Sequence, residues 1–161
     1  MCLELLVTIF DPNDETGYRY DDPALDGVKN DMMSHDNDID HRDATHAVIL
    51  ERKNRNGGVV GILLYNNTRK HILGWGTYLD EQELNIDVEH VLLSTALREL
   101  NADQSDVTIS ILTHYDSTPL NTICHLHGFE RSDCQDEWLR PACAIQNLID
   151  NSKVSCARSL Q

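Results

Sequence analysis

The 161-residue sequence has no long apolar run, few basic residues and no paired-cysteine motif. No stretch approaches the roughly 18 consecutive apolar residues of a membrane-spanning helix. The first ten residues, MCLELLVTIF, carry neither a basic region nor a small-residue cleavage site, so we expect a first strand there and no signal peptide. The five cysteines are an odd number without CxxC spacing, which argues against a disulfide framework or a zinc module and predicts a cytoplasmic protein with free thiols.

What the sequence does have is the composition of a globular protein and a large excess of acid. An apolar share of 40% and a charged share of 25% are typical of a folded protein, and the length predicts a single domain over residues 1 to 161. Because 27 acidic residues face 13 basic ones, the formal net charge is -14. Such a chain repels phosphate backbones, so we expect no direct nucleic-acid binding and predict a cationic amine or a basic protein as partner.

The acid is concentrated near the start of the chain. Residues 11 to 43 hold eleven acidic side chains against three basic ones, which leaves a net of eight negative charges in an acidic helical segment. We expect this segment to bind the cationic partner through four aspartates: Asp36, Asp38, Asp40 and Asp43.

The stretch DNDIDHRDATHA begins like a calcium loop, with Asp36, Asp38 and Asp40 at positions 1, 3 and 5, and then departs from one. His41 stands where such a loop needs glycine, and Ala47 stands where it needs a bidentate glutamate. The eight histidines show no HxxxH or HExxH spacing either. The sequence therefore predicts no metal site.

Hydrophobic periodicity predicts strands and helices in an order typical of a mixed α/β sheet. Two glycines inside one predicted strand, Gly74 and Gly76, indicate a bulge or the close approach of another backbone. DVTISIL predicts a strand with one polar face. The predicted strands are 3–10, 45–53, 59–67, 70–79 and 106–112, with two more beginning near 128 and 137, and the predicted helices are 23–34, 88–100, 118–127 and about 142–151.

The sequence TPLNTICHLHGFERSD, near the end of this order, resembles the GNAT superfamily of N-acyltransferases. A helix of that family carries a pattern like A-x-x-x-Y-x-x-x-G-F before its sixth strand, and the stretch from Leu120 to Phe129 matches it with Gly128-Phe129 in register. The central YLDEQELNIDVEHVLLSTAL also aligns without a gap on the family's strand, loop and helix. The resemblance covers most of residues 3 to 140 and implies an α/β fold with a mixed, mostly antiparallel central sheet flanked by helices.

The resemblance also implies a cofactor, acetyl-CoA or another acyl-CoA, and a set of positions for it. In the family, glycine-exposed backbone amides and a helix N-terminus hold the pyrophosphate. Here the arginine and every glycine of that loop are absent, and Asp87 and Glu89 stand at the helix start, where carboxylates suit helix capping and repel phosphate. The positions that match the family's cofactor-binding segment are Tyr78, Leu79, Leu84, Asn85 and Asp87.

Catalytic groups follow from the same alignment. The family's tyrosine commonly protonates the departing thiolate, and Cys124 occupies its position, either as an acid or as a small buried apolar residue. His127 shares its helix face, so a Cys-His pair is geometrically allowed. Glu81 and Glu83 lie just past the predicted strand 70–79 and are candidate bases that would take a proton from the amine. His71 lies near the start of that strand.

Two functions remain open at this stage. The first is an N-acyltransferase that moves an acyl group from acyl-CoA to a cationic amine. The second is a non-catalytic protein of the same fold whose acidic surface engages a basic protein, as a decoy or inhibitor. Whether the chain is an enzyme and whether it forms a dimer also stay open.

Overall fold

The computed structural model describes residues 3–9, 20–35, 39–52, 58–79, 87–101, 108–112, 118–132 and 137–140. Within these ranges the chain is an α/β protein with seven strands and three α-helices, as the sequence predicts. The elements are β1 (Leu3–Ile9), α1 (Asp26–His35), β2 (His46–Arg52), β3 (Val59–Asn66), β4 (His71–Thr77), α2 (Val88–Glu99), β5 (Ile109–Leu112), α3 (Thr118–Leu126), β6 (Glu130–Arg131) and β7 (Glu137–Arg140). Short 3-10 turns at Pro23–Leu25 and His41–Asp43 flank α1, and the helix predicted near 142–151 lies outside the described residues.

All seven strands belong to one sheet, in the order β1-β2-β3-β4-β5-β7-β6. Every neighbouring pair is antiparallel except β4 and β5, which run parallel. The predicted mixed, mostly antiparallel sheet is therefore confirmed. The insertion of β7 between β5 and β6 follows from pairing partners that local sequence patterns do not reveal.

Helices cover both faces of the sheet, because strands β2 and β3 are apolar on both sides. Helix α1 and the 3-10 turn before it pack on one face, where the buried Leu25 of the turn and Val28 and Met32 of the helix form the α1 core with β2, β3 and β4. Helices α2 and α3 pack on the other face and form the α2 core. Its largest fully buried members are Trp138, Tyr65, Phe129, Leu63, Ile72, Leu92 and Leu93.

The two glycines of β4 correspond to the two alternatives that the sequence predicts, a bulge at Gly74 and the close approach of another backbone at Gly76. The pairing register shifts between Leu64 and Tyr65, so that Leu73 has no Cα partner in β3 and forms a bulge with Gly74. At Gly76 the backbone of α1 comes so close that an added Cβ would lie 2.6 Å from the backbone nitrogen of Met32. The bulge and this close approach fix α1 against the second half of β4.

Helix ends follow the predicted capping chemistry. Asp87 is the N-cap of α2, and Gly128 ends the turn after α3 with a φ of +85°, in the left-handed region that favours glycine. The Phe129 amide then donates to the carbonyl of Cys124 at 2.9 Å. Within the described ranges, no α-helix is both long enough and apolar enough to cross a bilayer.

Candidate functional site

Among the described residues, the second half of β4 has no strand paired with it on the side of β5. In the described part of the chain, β4 pairs with β5 only at His71 and Ile72, and the rest of β4 continues past that pairing. The Tyr78 amide donates to the Val60 carbonyl of β3 at 2.8 Å, so by strand alternation the Thr77 amide points to the opposite side. There it donates to Asp31 Oδ2 of α1, also at 2.8 Å. The Thr77 amide on the side of β4 that faces away from β3 is thus hydrogen-bonded to a carboxylate of the protein itself.

Two residues that the sequence assigned to cofactor binding lie just beyond this amide. The exposed ring of Tyr78 lies against Gly27 of α1, where an added Cβ would come within 2.8 Å of the ring, and its carbonyl accepts from Arg52 Nη2 at 3.2 Å. Leu79 is partly buried against the α2 core. The remaining loop positions Leu84 and Asn85, and the candidate bases Glu81 and Glu83, lie outside the described residues.

Both acidic residues at the N-terminus of α2 have partners within the protein. Asp87 Oδ1 accepts from the His90 amide at 3.4 Å, which confirms the capping role predicted for this residue. Glu89 Oε2 accepts from the indole Nε1–H of Trp75 at 2.9 Å, which ties the first turn of α2 to β4. Each of the two carboxylates that the sequence predicts to repel a pyrophosphate therefore accepts a hydrogen bond from within the protein.

A chain of polar contacts runs from α2 to the end of α3. His90 Nε2 lies 3.3 Å from Asp87 Oδ2, and His90 Nδ1 lies 2.7 Å from His127 Nε2. The carboxylate favours the His90 tautomer with its proton on Nε2, so that Nδ1 accepts the proton of His127 Nε2. Burial, followed by the electrostatic effect of the neighbouring His90, lowers the pKa of His127, which favours the neutral ring at neutral pH. Sequence reasoning missed His90, because nothing local links residues 37 positions apart.

Cys124 is buried, as one of the two alternatives for this residue predicted. It has no exposed surface, and burial raises the pKa of its thiol to about 12, partly opposed by Arg131. The ring of His127 contacts His90, while the backbone amide of His127 donates to the carbonyl of Cys124 at 3.2 Å. A thiol that keeps its proton at neutral pH is poorly suited to act as a nucleophile, and a side chain without exposed surface has no access to a substrate in solution.

His71, the other candidate at the start of β4, is bonded to the neighbouring strand. Its Nδ1 forms a hydrogen bond with the hydroxyl of Ser110 on β5, and Ser110 is buried. The predicted polar face of β5 is thus covered at Ser110, and the hydroxyl is satisfied across the parallel β4–β5 pair. Among the described residues, no group of three or more His, Cys, Asp and Glu side chains is arranged to hold a metal ion.

The described part of the acidic segment, residues 20–35 and 39–43, lies on the α1 side of the sheet, and we call its surface the α1 face. Both basic residues of this surface are paired within it. Lys29 Nζ lies 3.6 Å from Asp26 and donates to the carbonyl of Tyr20 at 2.6 Å. Arg42 donates to both carboxylate oxygens of Asp40 at 3.0 Å. Six acidic residues against these two cations leave four net negative charges in the described part.

The four aspartates predicted to bind a partner do not share one environment. Asp43 is exposed. Asp40 caps the 3-10 turn through the Arg42 amide, and its hydrogen bond with the Arg42 side chain is the first cause that lowers the pKa of this carboxyl. Asp36 and Asp38 lie outside the described residues. The structure therefore places two of the four on the α1 face, one of them already paired.

Comparison with protein families and curated proteins identifies no relative of this chain. No protein-family model matches the chain, and no curated protein matches it significantly.

Proposed function

We propose that the chain is a non-catalytic protein with an acyltransferase-like fold that binds a basic protein partner through its α1 face. The observation that carries the proposal is that the groups an acyl-CoA would need are engaged within the protein. Asp31 holds the Thr77 amide, Asp87 caps α2, and Cys124 is buried at the tyrosine position. A cofactor would have to displace these contacts and bring its phosphates near carboxylates.

Charge supports the choice of partner. The described part of the α1 face carries four net negative charges, whereas α2 with its cap and α3 carry three acidic residues against one basic one. Because both cations of the α1 face are paired with their own aspartates, an incoming basic surface meets no exposed unpaired cation among its described residues. Electrostatic attraction of this kind raises the association rate and weakens as salt rises.

The experiment compares two variants with the same change in net charge. The probe is a synthetic lysine- and arginine-rich peptide, and binding is followed by calorimetry and stopped-flow at several salt concentrations. The test variant combines Asp21→Asn and Asp43→Asn, both exposed on the α1 face, and the control combines Glu99→Gln and Glu130→Gln, both exposed elsewhere. We expect the test variant to lower the association rate severalfold and to reduce its salt dependence, with a smaller effect in the control. Equal effects of the two variants would mean that the charge acts only as a solubilising coat.

A second candidate is N-acyl transfer from acyl-CoA to a cationic amine. The observation in its favour is the bulge at Leu73 and Gly74, next to a parallel β4–β5 pair that comprises two residue pairs in the described part of the chain. In the resembling family, amides of such a bulged strand face the thioester carbonyl. A bulge at this place is what the resemblance to that family implies, and it supports the candidate although the signature residues are missing.

Calorimetric titration of acetyl-CoA into the protein separates the two candidates. We expect weak or undetectable binding, because each carboxylate near 5 Å from a phosphate costs on the order of 1–3 kcal/mol. Two such carboxylates would raise a micromolar dissociation constant toward millimolar, at about 1.4 kcal/mol per tenfold change. A dissociation constant below about 10 μM would make acyl transfer the better proposal.

A loop variant tests the alignment behind this argument. It combines four substitutions that restore the family pattern: Leu84→Arg, Asn85→Gly, Asp87→Gly and Glu89→Gly. Because Asp87 caps α2 and Glu89 bonds Trp75, retention of the fold must be checked by circular dichroism first. A folded variant that gains acetyl-CoA affinity supports the alignment, and a folded variant that gains none counts against it.

A further inference from the structure

Strand β1 forms one edge of the sheet and has an unusual surface for an edge strand. In the described part of the chain it pairs with β2 alone. Leu5 and Val7 lie on the same side of β1, and 39% and 41% of their surfaces are exposed. Edge strands are normally protected from pairing by lysine, proline or a bulge. The sequence of β1, LELLVTI, contains no lysine, arginine or proline, and its register with β2 is regular over all seven residues.

The polarity of β1 reads the same in both directions. Around Leu6, the central residue, the order is apolar, polar, apolar, apolar, apolar, polar, apolar. An antiparallel pairing of two copies about Leu6 would set Leu5 opposite Val7 and the single charged residue, Glu4, opposite Thr8. No like charges then face each other directly. A two-fold interface requires such self-complementarity, because each contact occurs twice with the partners exchanged.

We propose that β1 is a dimerisation strand, which pairs antiparallel with β1 of a second copy of this chain about a two-fold axis at Leu6. The joined sheet would have fourteen described strands, since each copy contributes seven. Leu5 and Val7 lie opposite Leu50 and Val48 of β2, both members of the α2 core. The new cross-strand pairs therefore extend an existing apolar core across the interface, and cross-strand apolar pairs stabilise sheets.

Charge predicts how this dimer depends on salt. A two-fold axis perpendicular to the sheet places both α1 faces on the same side of the joined sheet. Each chain carries a formal net charge of -14, so the two copies repel each other, and added salt screens that repulsion. The dimer should therefore tighten as salt rises, whereas binding of a basic partner to the α1 face should weaken.

The first experiment measures the mass of the full chain by analytical ultracentrifugation from low micromolar to near-millimolar concentration, at low and moderate salt. We expect a concentration-dependent dimer. The variant Leu5→Lys with Val7→Lys should be monomeric. The control Leu126→Lys changes another exposed apolar residue, 66% exposed on α3, and should dimerise as the unmodified chain does. A chain that stays monomeric at every concentration, or a dimer that the Leu5 and Val7 substitutions leave unchanged, overturns the proposal.

A second pair of variants tests the register without touching an apolar residue. In the proposed pairing, Thr8→Glu places a carboxylate opposite Glu4 of the other copy twice, and Thr8→Lys places an ammonium there twice. We expect the first to weaken and the second to strengthen dimerisation, each by roughly two- to thirtyfold. Thr68→Glu and Thr68→Lys, at an exposed turn between β3 and β4, control for net charge alone. If the changes at Thr8 act no differently from those at Thr68, the proposed register is wrong.

Discussion

Asp31 in the second turn of α1 and Thr77 at the end of β4 are 46 residues apart in sequence, and Asp31 Oδ2 accepts the Thr77 amide proton at 2.8 Å. A backbone amide on the open side of a strand is an attractive group for a ligand or a neighbouring chain. Here it is satisfied by a partly buried carboxylate of the neighbouring helix. This bond joins the helix to the part of the sheet where a cofactor was expected.

Replacement of Asp31 by alanine should lower the free energy of unfolding by about 1.5–3 kcal/mol, the usual contribution of a hydrogen bond to a charged group. Asp26→Ala on the same helix is the control, because its ion pair with Lys29 is largely exposed on the Asp26 side and should contribute at most about 1 kcal/mol. Urea denaturation followed by circular dichroism measures both. Equal losses in the two variants would mean that the contact with Thr77 adds nothing specific.

The close approach of α1 to β4 predicts that alanine is tolerated at Gly74 but destabilises the protein at Gly76. An added Cβ at Gly76 would meet the Val28 carbonyl and the Met32 nitrogen, which are backbone atoms and cannot turn aside, so Gly76→Ala should cost about 3 kcal/mol. At Gly74 the nearest atom is the end of the Ile39 side chain, which can rotate. Gly74→Ala should therefore stay within about 1 kcal/mol of the unmodified protein. Thermal and urea unfolding of the two variants test this, and a tolerated Gly76→Ala would contradict the packing.

Burial of Cys124 predicts slow chemistry at its thiol. The pKa of about 12 leaves almost no thiolate at neutral pH, and the side chain has no exposed surface. We expect iodoacetamide to modify Cys124 only as fast as the protein opens, and much more slowly than in urea, as measured by peptide mass spectrometry. Modification of the folded protein at the rate found in urea would restore Cys124 as a candidate reactive residue.

The tyrosine that the resembling family carries at this position should not fit. The larger ring would overpack the α2 core, so Cys124→Tyr should lower the free energy of unfolding by about 1–3 kcal/mol or more. Cys124→Ala, which removes one small group, provides the comparison in the same urea experiment. A stable Cys124→Tyr variant would show that the core has room for the family's residue.

The environment of His127 predicts a pH dependence of stability. Burial and the neighbouring His90 lower its pKa, Arg140 acts in the same direction, and Asp87 acts against them. Above a pH of about 6.5 the ring is neutral in both states, so its contribution to stability is fully present. Below that pH the unfolded chain takes up a proton that the folded chain resists. The free energy of unfolding should therefore fall as the pH drops from about 6.5 through the lowered pKa.

The variant His127→Gln isolates this contribution. Its loss of stability between neutral and mildly acidic pH should be smaller than that of the unmodified protein, although His46, whose pKa burial also lowers, still contributes in both. His125→Gln, two residues earlier and exposed, is the control and should retain the full pH dependence. Urea titrations at a series of pH values give the comparison. An unchanged pH profile in His127→Gln would remove this histidine from the explanation.

The fold was largely readable from sequence because its signals are local. The apolar repeat at Leu25, Val28 and Met32 predicts the buried face of the 3-10 turn and α1, and the alternating apolar residues of β5 predict a strand. Gly128 predicts the end of α3 because the turn there has a positive φ. Each of these predictions depends on residues within a few positions of each other.

The site was less readable because its contacts join distant residues. No local pattern links Asp31 to Thr77, or His90 to His127, and both relationships depend on how α1 and α2 dock on the sheet. The sequence alone also could not decide whether Cys124 was a reactive group or part of the core, since both interpretations require the same helix face. Only the packing of α3 over the α2 core separates them.

The short parallel contact between β4 and β5 has a consequence for how the protein opens. Two residue pairs join these strands, whereas β3 and β4 share six. The strands β1 to β4 form a continuous antiparallel meander of sequential neighbours, and β5, β7 and β6 form a second antiparallel group. Among the described residues, the strand pairing between the two groups is limited to His71 and Ile72 of β4, next to a hydrogen bond from the Ser110 amide to the Lys70 carbonyl. Cooperative units of this kind exchange amide hydrogens at different rates. The sheet is thus divided by a seam, and amides of β5 to β7 should exchange through partial opening along that seam while the β2–β3 pair remains protected.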